Sequence, residues 1–374
     1  MSLFVDKHRP TKLDDLHFHH DLSQRIRSLA ASGQDWPNVL IYGPSGVGKK
    51  TRILATLREL YGPGVEKLRI DQRVFLTPGR KKLDVNVVQS NYHIELTPSD
   101  VGNWDRSVIQ DIIKEIAQTQ QVDLSVKKRF KIVVINEADM LSRDAQAALR
   151  RTMEKYTSNL RLILCANATS KIISPIRSRC LLLRVGAPTE EEIVKVLHHV
   201  DKKERLNIPP HVATLLARLS NGNLRRALLS LEALHTQDPT FASIDKSILT
   251  NPRALDKLDA VPRPDWEKYC SRVAQKILAQ QTPDALLEVR AMLYELLTHC
   301  IPPTMIISTI TRSLVDAVDD ALKPDLVRWA AFYEHRAKTG SKQIFHLEAF
   351  VARVMSDYKS FSLMGVEGLD DMDF

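Results

Sequence analysis

Residues Ile41 to Thr51 read Ile-Tyr-Gly-Pro-Ser-Gly-Val-Gly-Lys-Lys-Thr. Gly43, Gly48 and Lys49 match the glycines and lysine of the pattern G-x-x-x-x-G-K-[S/T]. Pro44, Ser45, Gly46 and Val47 fill the variable positions. In such a loop the glycines free backbone N–H groups to cradle phosphates at a helix N-terminus, and the lysine pairs with the terminal phosphates. The last position carries a hydroxyl for Mg²⁺ in the pattern; here it is Lys50. Thr51 comes one residue too late, because a helix turns about 100° per residue. The loop therefore predicts an α/β domain that binds ATP or ADP, with Mg²⁺ in doubt, and that holds a nucleotide better than it hydrolyses one.

A second departure lies downstream. Lys131 to Asp139 reads Lys-Ile-Val-Val-Ile-Asn-Glu-Ala-Asp, an apolar run ending in polar residues. It predicts a buried parallel strand whose C-terminal end lies at the phosphates. In an active ATPase this strand ends in Asp-Glu, the aspartate holding Mg²⁺ and the glutamate acting on the attacking water. Asn136 stands in the first place and Glu137 in the second. A neutral amide oxygen is a poor substitute for a carboxylate on a hard cation. Two motifs in the right order, each altered at its metal position, reinforce each other.

A chain of 374 residues predicts two or three domains. Lys+Arg 53 against Asp+Glu 45 leaves a net charge of +8, which suits a polyanionic partner. Cys165, Cys180, Cys270 and Cys300 form no C-x-x-C pair, so neither a zinc site nor a disulfide framework is expected. No apolar run reaches membrane-spanning length. His17, His19 and His20 lack ligand partners at metal spacing and read as solvated loop histidines, and His198 and His199 as ordinary helix residues.

Strands alternate with helices up to about Arg184, giving a nucleotide-binding core over residues 1–185. Thr189 with Glu192 forms a capping box that opens a helical lid over 186–235, with Ile193, Val196 and Leu197 as its buried stripe. A proline-dotted linker covers 236–263. A helical domain covers 264–360, where Thr282 and Pro283 start a helix that buries Leu286, Val289, Leu293 and Leu297. Residues 361–374 read as an acidic, mobile tail. Within the core, Arg73 to Val88 predicts a β-hairpin, with Pro78-Gly79 as its turn and Arg80, Lys81 and Lys82 at its tip; basic residues there suit DNA phosphates. The run Lys127-Lys128-Arg129 reads as a solvated turn.

Further stretches carry a resemblance that spans almost the whole chain. Phe4-Val5-Asp6-Lys7-His8-Arg9-Pro10, Ala145 to Glu154 (Ala-Gln-Ala-Ala-Leu-Arg-Arg-Thr-Met-Glu) and Ser178-Arg179-Cys180 resemble the small subunits of replication factor C, the eukaryotic AAA+ clamp loader. The altered metal positions, with Glu59 to Gly62 and Tyr294 to Pro303, resemble the subunit at the open end of its spiral. The resemblance implies an AAA+ core, an all-α lid and an all-α collar. It implies a nuclear heteropentamer with four other subunits that uses ATP to load the PCNA sliding clamp onto primer–template DNA. Alternative large subunits would recruit the same small subunits for checkpoint, cohesion and DNA-repair work.

By the same resemblance, Val5, Arg9 and Pro10 border the adenine. Gly46 to Thr51 wrap the phosphates, Asn167 is sensor 1 and Arg225 is sensor 2. Arg179 is an arginine finger facing a neighbour's ATP, and a guanidinium supplied in trans stabilises charge in phosphoryl transfer. Two rivals remain at this stage: an active AAA+ ATPase motor that retains Lys49 and Glu137, and an origin-type AAA+ DNA-binding protein.

Overall fold

The computed structural model describes residues 2–31, 36–76, 82–98, 104–118, 130–156, 159–241, 244 and 261–370. The chain divides into two units, Met1–Val261 and Pro262–Phe374.

The first unit is built on a seven-stranded sheet in the order β2-β3-β4-β5-β6-β1-β7. Its strands are β1 (Val39–Tyr42), β2 (Arg69–Leu76), β3 (Lys82–Gln89), β4 (His93–Leu96), β5 (Lys131–Ile135), β6 (Leu160–Ala166) and β7 (Leu181–Arg184). Neighbours from β4 to β7 pair in parallel, whereas β2–β3 and β3–β4 are antiparallel. The expected buried strand is β5, with Ile132 to Ile135 almost wholly inaccessible between β4 and β6.

Both faces of the sheet are covered. One packs on α4 (Asp105–Gln118) and α5 (Arg143–Lys155) through Ile109, Ile112, Leu149 and Val133. The other packs on α2 (His20–Ala31) and α3 (Lys49–Tyr61) through Ile26, Ile53, Leu57 and Val134. Burying one such aliphatic side chain contributes about 1.5–3 kcal/mol, and burial on both faces is why β5 has no polar alternation.

Three helices follow: α7 (Glu190–Glu204), α8 (Pro210–Leu219) and α9 (Leu224–Gln237), after the single turn α6 (Ser174–Arg177). The capping box at Thr189 and Glu192 forms, and Ile193, Val196 and Leu197 are buried. The short N-terminal helix α1 (Phe4–Lys7) is tied to these helices. The Phe4 backbone N–H donates to Glu232 at 3.0 Å, and Glu204 pairs with Lys7 and His8. Most of the proline-dotted linker lies outside the described residues, as does the run Lys127-Lys128-Arg129.

The second unit is wholly helical where described: α10 (Asp265–Ala279), α11 (Pro283–Thr298), α12 (Pro303–Ala317), α13 (Lys323–Thr339) and α14 (Gln343–Asp370). The Thr282 side chain caps α11 as expected. That helix buries Ala285, Val289, Leu293 and Leu296, with Leu286 and Leu297 only partly covered at the margins. Of the expected acidic tail, residues 361–370 fall within α14 and 371–374 lie outside the described residues. The cysteines are all free, and no helix among the described residues is long and apolar enough to cross a membrane.

Candidate nucleotide site

The loop after β1 turns sharply onto α3, and its glycines are demanded by contact. A Cβ at Gly43 would stand 1.9 Å from the Val185 carbonyl oxygen. At Gly46, where φ is +77°, it would stand 1.8 Å from Asn223 Oδ1. Only glycine tolerates both the backbone angle and the approach. Asn223 is the N-cap of α9, and the Arg225 N–H donates to the Gly46 carbonyl at 3.2 Å. The lid helix thus starts directly against the phosphate loop.

A cavity of about 380 Å³ opens beside this contact. Its loop wall is Ser45, Gly46 and Gly48 to Thr51; its strand-end wall is Thr97, Asn136, Glu137, Cys165, Ala166 and Asn167. Val5, Arg9 and Pro10 line it from the N-terminal segment, and Arg225 from α9. The sequence-predicted residues therefore converge, with exceptions. Gly43 and Pro44 present carbonyls to Lys49 and do not line the cavity, and Val47 is packed in the core. Arg179 is exposed on the surface and is absent from the cavity wall. Arg80 and Lys81 lie outside the described residues, and of Lys82 only the backbone, paired with Leu76 at the start of β3, is described.

Lys49 is the hub. Its Nζ donates to the carbonyls of Gly43 and Pro44, both at 2.7 Å, and to Asn167 Oδ1 at 2.9 Å. The Asn167 N–H is held in turn by Asp139 at 3.3 Å. Burial lowers the Lys49 pKa most; Arg225 lowers it further, and Cys165 and Asp139 oppose the shift. An anion beside Lys49 would relieve that penalty. Arg52, buried in the same wall, donates to neutral oxygens among the described residues, Ser23 Oγ at 2.7 Å and Phe18 O at 3.1 Å, and burial pulls its pKa down to about 10. Arg9, Lys49, Lys50, Arg52 and Arg225 face one carboxylate, Glu137, among the described lining residues. The cavity suits a small polyanion with an apolar body, its apolar wall being Val5, Leu16, Val196, Val200 and Leu228.

The residues do not fit the Mg²⁺ ion that this type of loop implies. Lys50 replaces the hydroxyl, and its Nζ pairs with Glu95 of β4 at 2.8 Å. Asn136 replaces the carboxylate at the end of β5.

His17, from the loop, and His199, from α7, come together across the fold. Their rings pack at 4.5 Å between centroids, and both line the cavity. His19 is half-buried and bonds the Gly186 carbonyl at 3.2 Å. Residues 182 positions apart leave no local signal for such a pair.

Three family models match the chain. Residues 266–362 match "Replication factor C subunit 3, C-terminal domain", 195–236 match "RCF1/5-like, AAA+ ATPase lid domain", and 18–189 match "DNA polymerase III, delta subunit". Replication factor C subunit 5 of Neurospora crassa is 58% identical over 96% of this chain and 98% of that protein. Replication factor C subunit 3 of Bos taurus is 51% identical over 99% of each, and the Homo sapiens subunit 3 is 50% identical over the same shares.

Proposed function

This chain belongs to the replication factor C family of AAA+ clamp-loader subunits, and from that premise we propose that it is the member that holds a nucleotide without turning it over. It joins four other subunits in a nuclear heteropentamer that opens the PCNA ring and sets it on primer–template DNA. Its bound ATP or ADP locks the lid helices against the phosphate loop. Its Arg179 serves the ATP of a neighbouring subunit. Alternative loaders with other large subunits use the same chain.

One observation carries this reading. Lys49, Asn167 and Arg225 line one cavity, where they suit phosphates, while Lys50 and Asn136 stand at the two positions where the motifs carry metal-binding groups. Binding needs only the first set; hydrolysis needs both. Val5, Arg9 and Pro10, fixed through α1 to the lid, close the end where a base would lie.

Glu137 keeps the active-motor alternative distinct, because it reaches the cavity. The test is single-site turnover in the assembled complex, with Glu137→Gln introduced in this chain alone. The proposal expects retained nucleotide and an unchanged overall rate. Turnover at this site comparable to its neighbours, abolished by Glu137→Gln, would reject it. The origin-type alternative is set aside, because residues 266–362 match a replication factor C domain.

A further inference from the structure

The Lys50–Glu95 contact is more than the loss of a metal ligand. Glu95 sits on β4, beside β5, and its side chain is only 3% exposed. Its Oε2 accepts from Lys50 Nζ at 2.8 Å, and its Oε1 has no hydrogen-bond partner among the described residues. A buried carboxylate with one partner cannot cheaply lose it, since an unpaired ion in the interior costs several kcal/mol. The ammonium is therefore anchored. Yet Lys50 remains 46% exposed at its side chain and lines the cavity, at the second residue of α3. An ammonium has three donors, so anchoring on one carboxylate oxygen leaves others for a second anion.

The charge arrangement parallels a metal site. There, a protein carboxylate holds a divalent cation, and the cation bridges phosphate oxygens. Here a buried carboxylate holds a fixed monovalent cation at the loop position from which a hydroxyl would otherwise reach the metal. A divalent ion approaching Glu95 would have to displace that ammonium. Asn136, at the strand end beside it, would offer a neutral amide where a hard cation prefers a carboxylate.

We infer that the Lys50 ammonium, fixed by Glu95, is a built-in counter-charge for the phosphates, so that this chain binds a nucleoside diphosphate or triphosphate without a metal ion. The inference rests on the nucleotide reading of the cavity and adds how that site neutralises its ligand. Glu95 is a positioning residue in it: it acts through Lys50 and does not touch the ligand.

The experiment is calorimetric titration of the purified full chain with ADP, once with MgCl₂ and once with EDTA. The expected dissociation constants agree within about threefold. A weakening of about tenfold or more in EDTA would overturn the inference while leaving the nucleotide site standing. Absence of ADP binding in both buffers would overturn the nucleotide reading and this inference with it.

A second variant tests the ammonium itself. Lys50→Gln alone would strand Glu95 as a buried unpaired charge, so the double variant Lys50→Gln/Glu95→Gln removes both partners together. Its thermal midpoint without nucleotide checks the fold. In EDTA it should bind ADP about tenfold more weakly than the unaltered chain, the size of one charge-assisted hydrogen bond. A folded double variant that binds ADP in EDTA as tightly as the unaltered chain would show that Lys50 does not serve the phosphates.

Discussion

Arg179 and Glu154 meet on the surface of the first unit, Arg179 Nη2 standing 2.6 Å from Glu154 Oε1 while Nη1 donates to the Pro175 carbonyl at 2.9 Å. Glu154 lies in the last turn of α5, and Arg179 follows α6 by two residues. The guanidinium is thus presented in one direction although its own cavity lies elsewhere. Both side chains are substantially exposed, so the pair contributes at most about 1 kcal/mol and opens readily when a stronger anion arrives.

That magnitude separates two variants. With Arg179 acting in trans, Arg179→Ala should leave the pentamer assembled and lower the neighbour's kcat by about a hundredfold or more. Glu154→Gln weakens exposed ion pairs, with Arg179 and with Arg150, and should change the same rate by less than about fivefold. Single-turnover hydrolysis in the assembled complex reads both. An unchanged rate for Arg179→Ala rejects the finger role. A failure of the pentamer to assemble assigns Arg179 to structure instead.

Acid should loosen the first unit, and His93 is a defined contributor. It is buried on β4; burial chiefly lowers its pKa from the ordinary 6.5, Lys50 lowers it further, and Glu95 opposes. Its Nδ1 meets Ser90 Oγ at 2.7 Å. The folded pKa lies below the unfolded one, so on descending through 6.5 the unfolded chain takes up the proton first. Stability falls from about pH 6.5 down to the folded pKa and is independent of this group above that range. His17 and His199 shift in the same direction, chiefly through burial. Each histidine can contribute a slope of at most about 1.4 kcal/mol per pH unit. Urea midpoints near about pH 7.5 and about pH 5.5 should differ less for His93→Gln than for the unaltered chain. Equal differences would remove His93 from the account.

The legible parts of the site were those written in contiguous sequence. Gly43 to Lys49 specifies a turn by its own backbone needs, and the apolar run ending at Asn136 shows a strand buried on both faces. Asn167, which directly follows β6, came only through the family resemblance. The pairings across the fold were not legible. Lys50 with Glu95, His17 with His199, and His8 with Glu204 join elements that only the tertiary packing brings together. No local pattern at either member of a pair names its partner.

The hairpin of β2 and β3 offers the last test. Its backbone pairs antiparallel from Arg69 with Gln89 to Leu76 with Lys82, and Val85 and Val87 turn inward while Asp84 and Asn86 face out. This alternation fixes the register, because a slip of one residue would expose both valines. Lys82 therefore stands, by its backbone, at one end of a firmly registered ribbon, while Arg80 and Lys81 lie outside the described residues. A two-stranded ribbon can enter a major groove, and cations at its end would meet phosphates without reading bases. Changing all three to alanine should weaken DNA binding by the assembled loader equally on unrelated sequences. It should also reduce the slope of log affinity against log salt by up to about 2.7, the release expected for three phosphate contacts. Nucleotide binding by this chain should be untouched, since the cavity lies at the opposite side of β4 from β3, lined by Thr97, Asn136 and Asn167. Fluorescence anisotropy across a salt series measures both quantities, and an unchanged affinity with an unchanged slope would reduce the ribbon to a solvated surface feature.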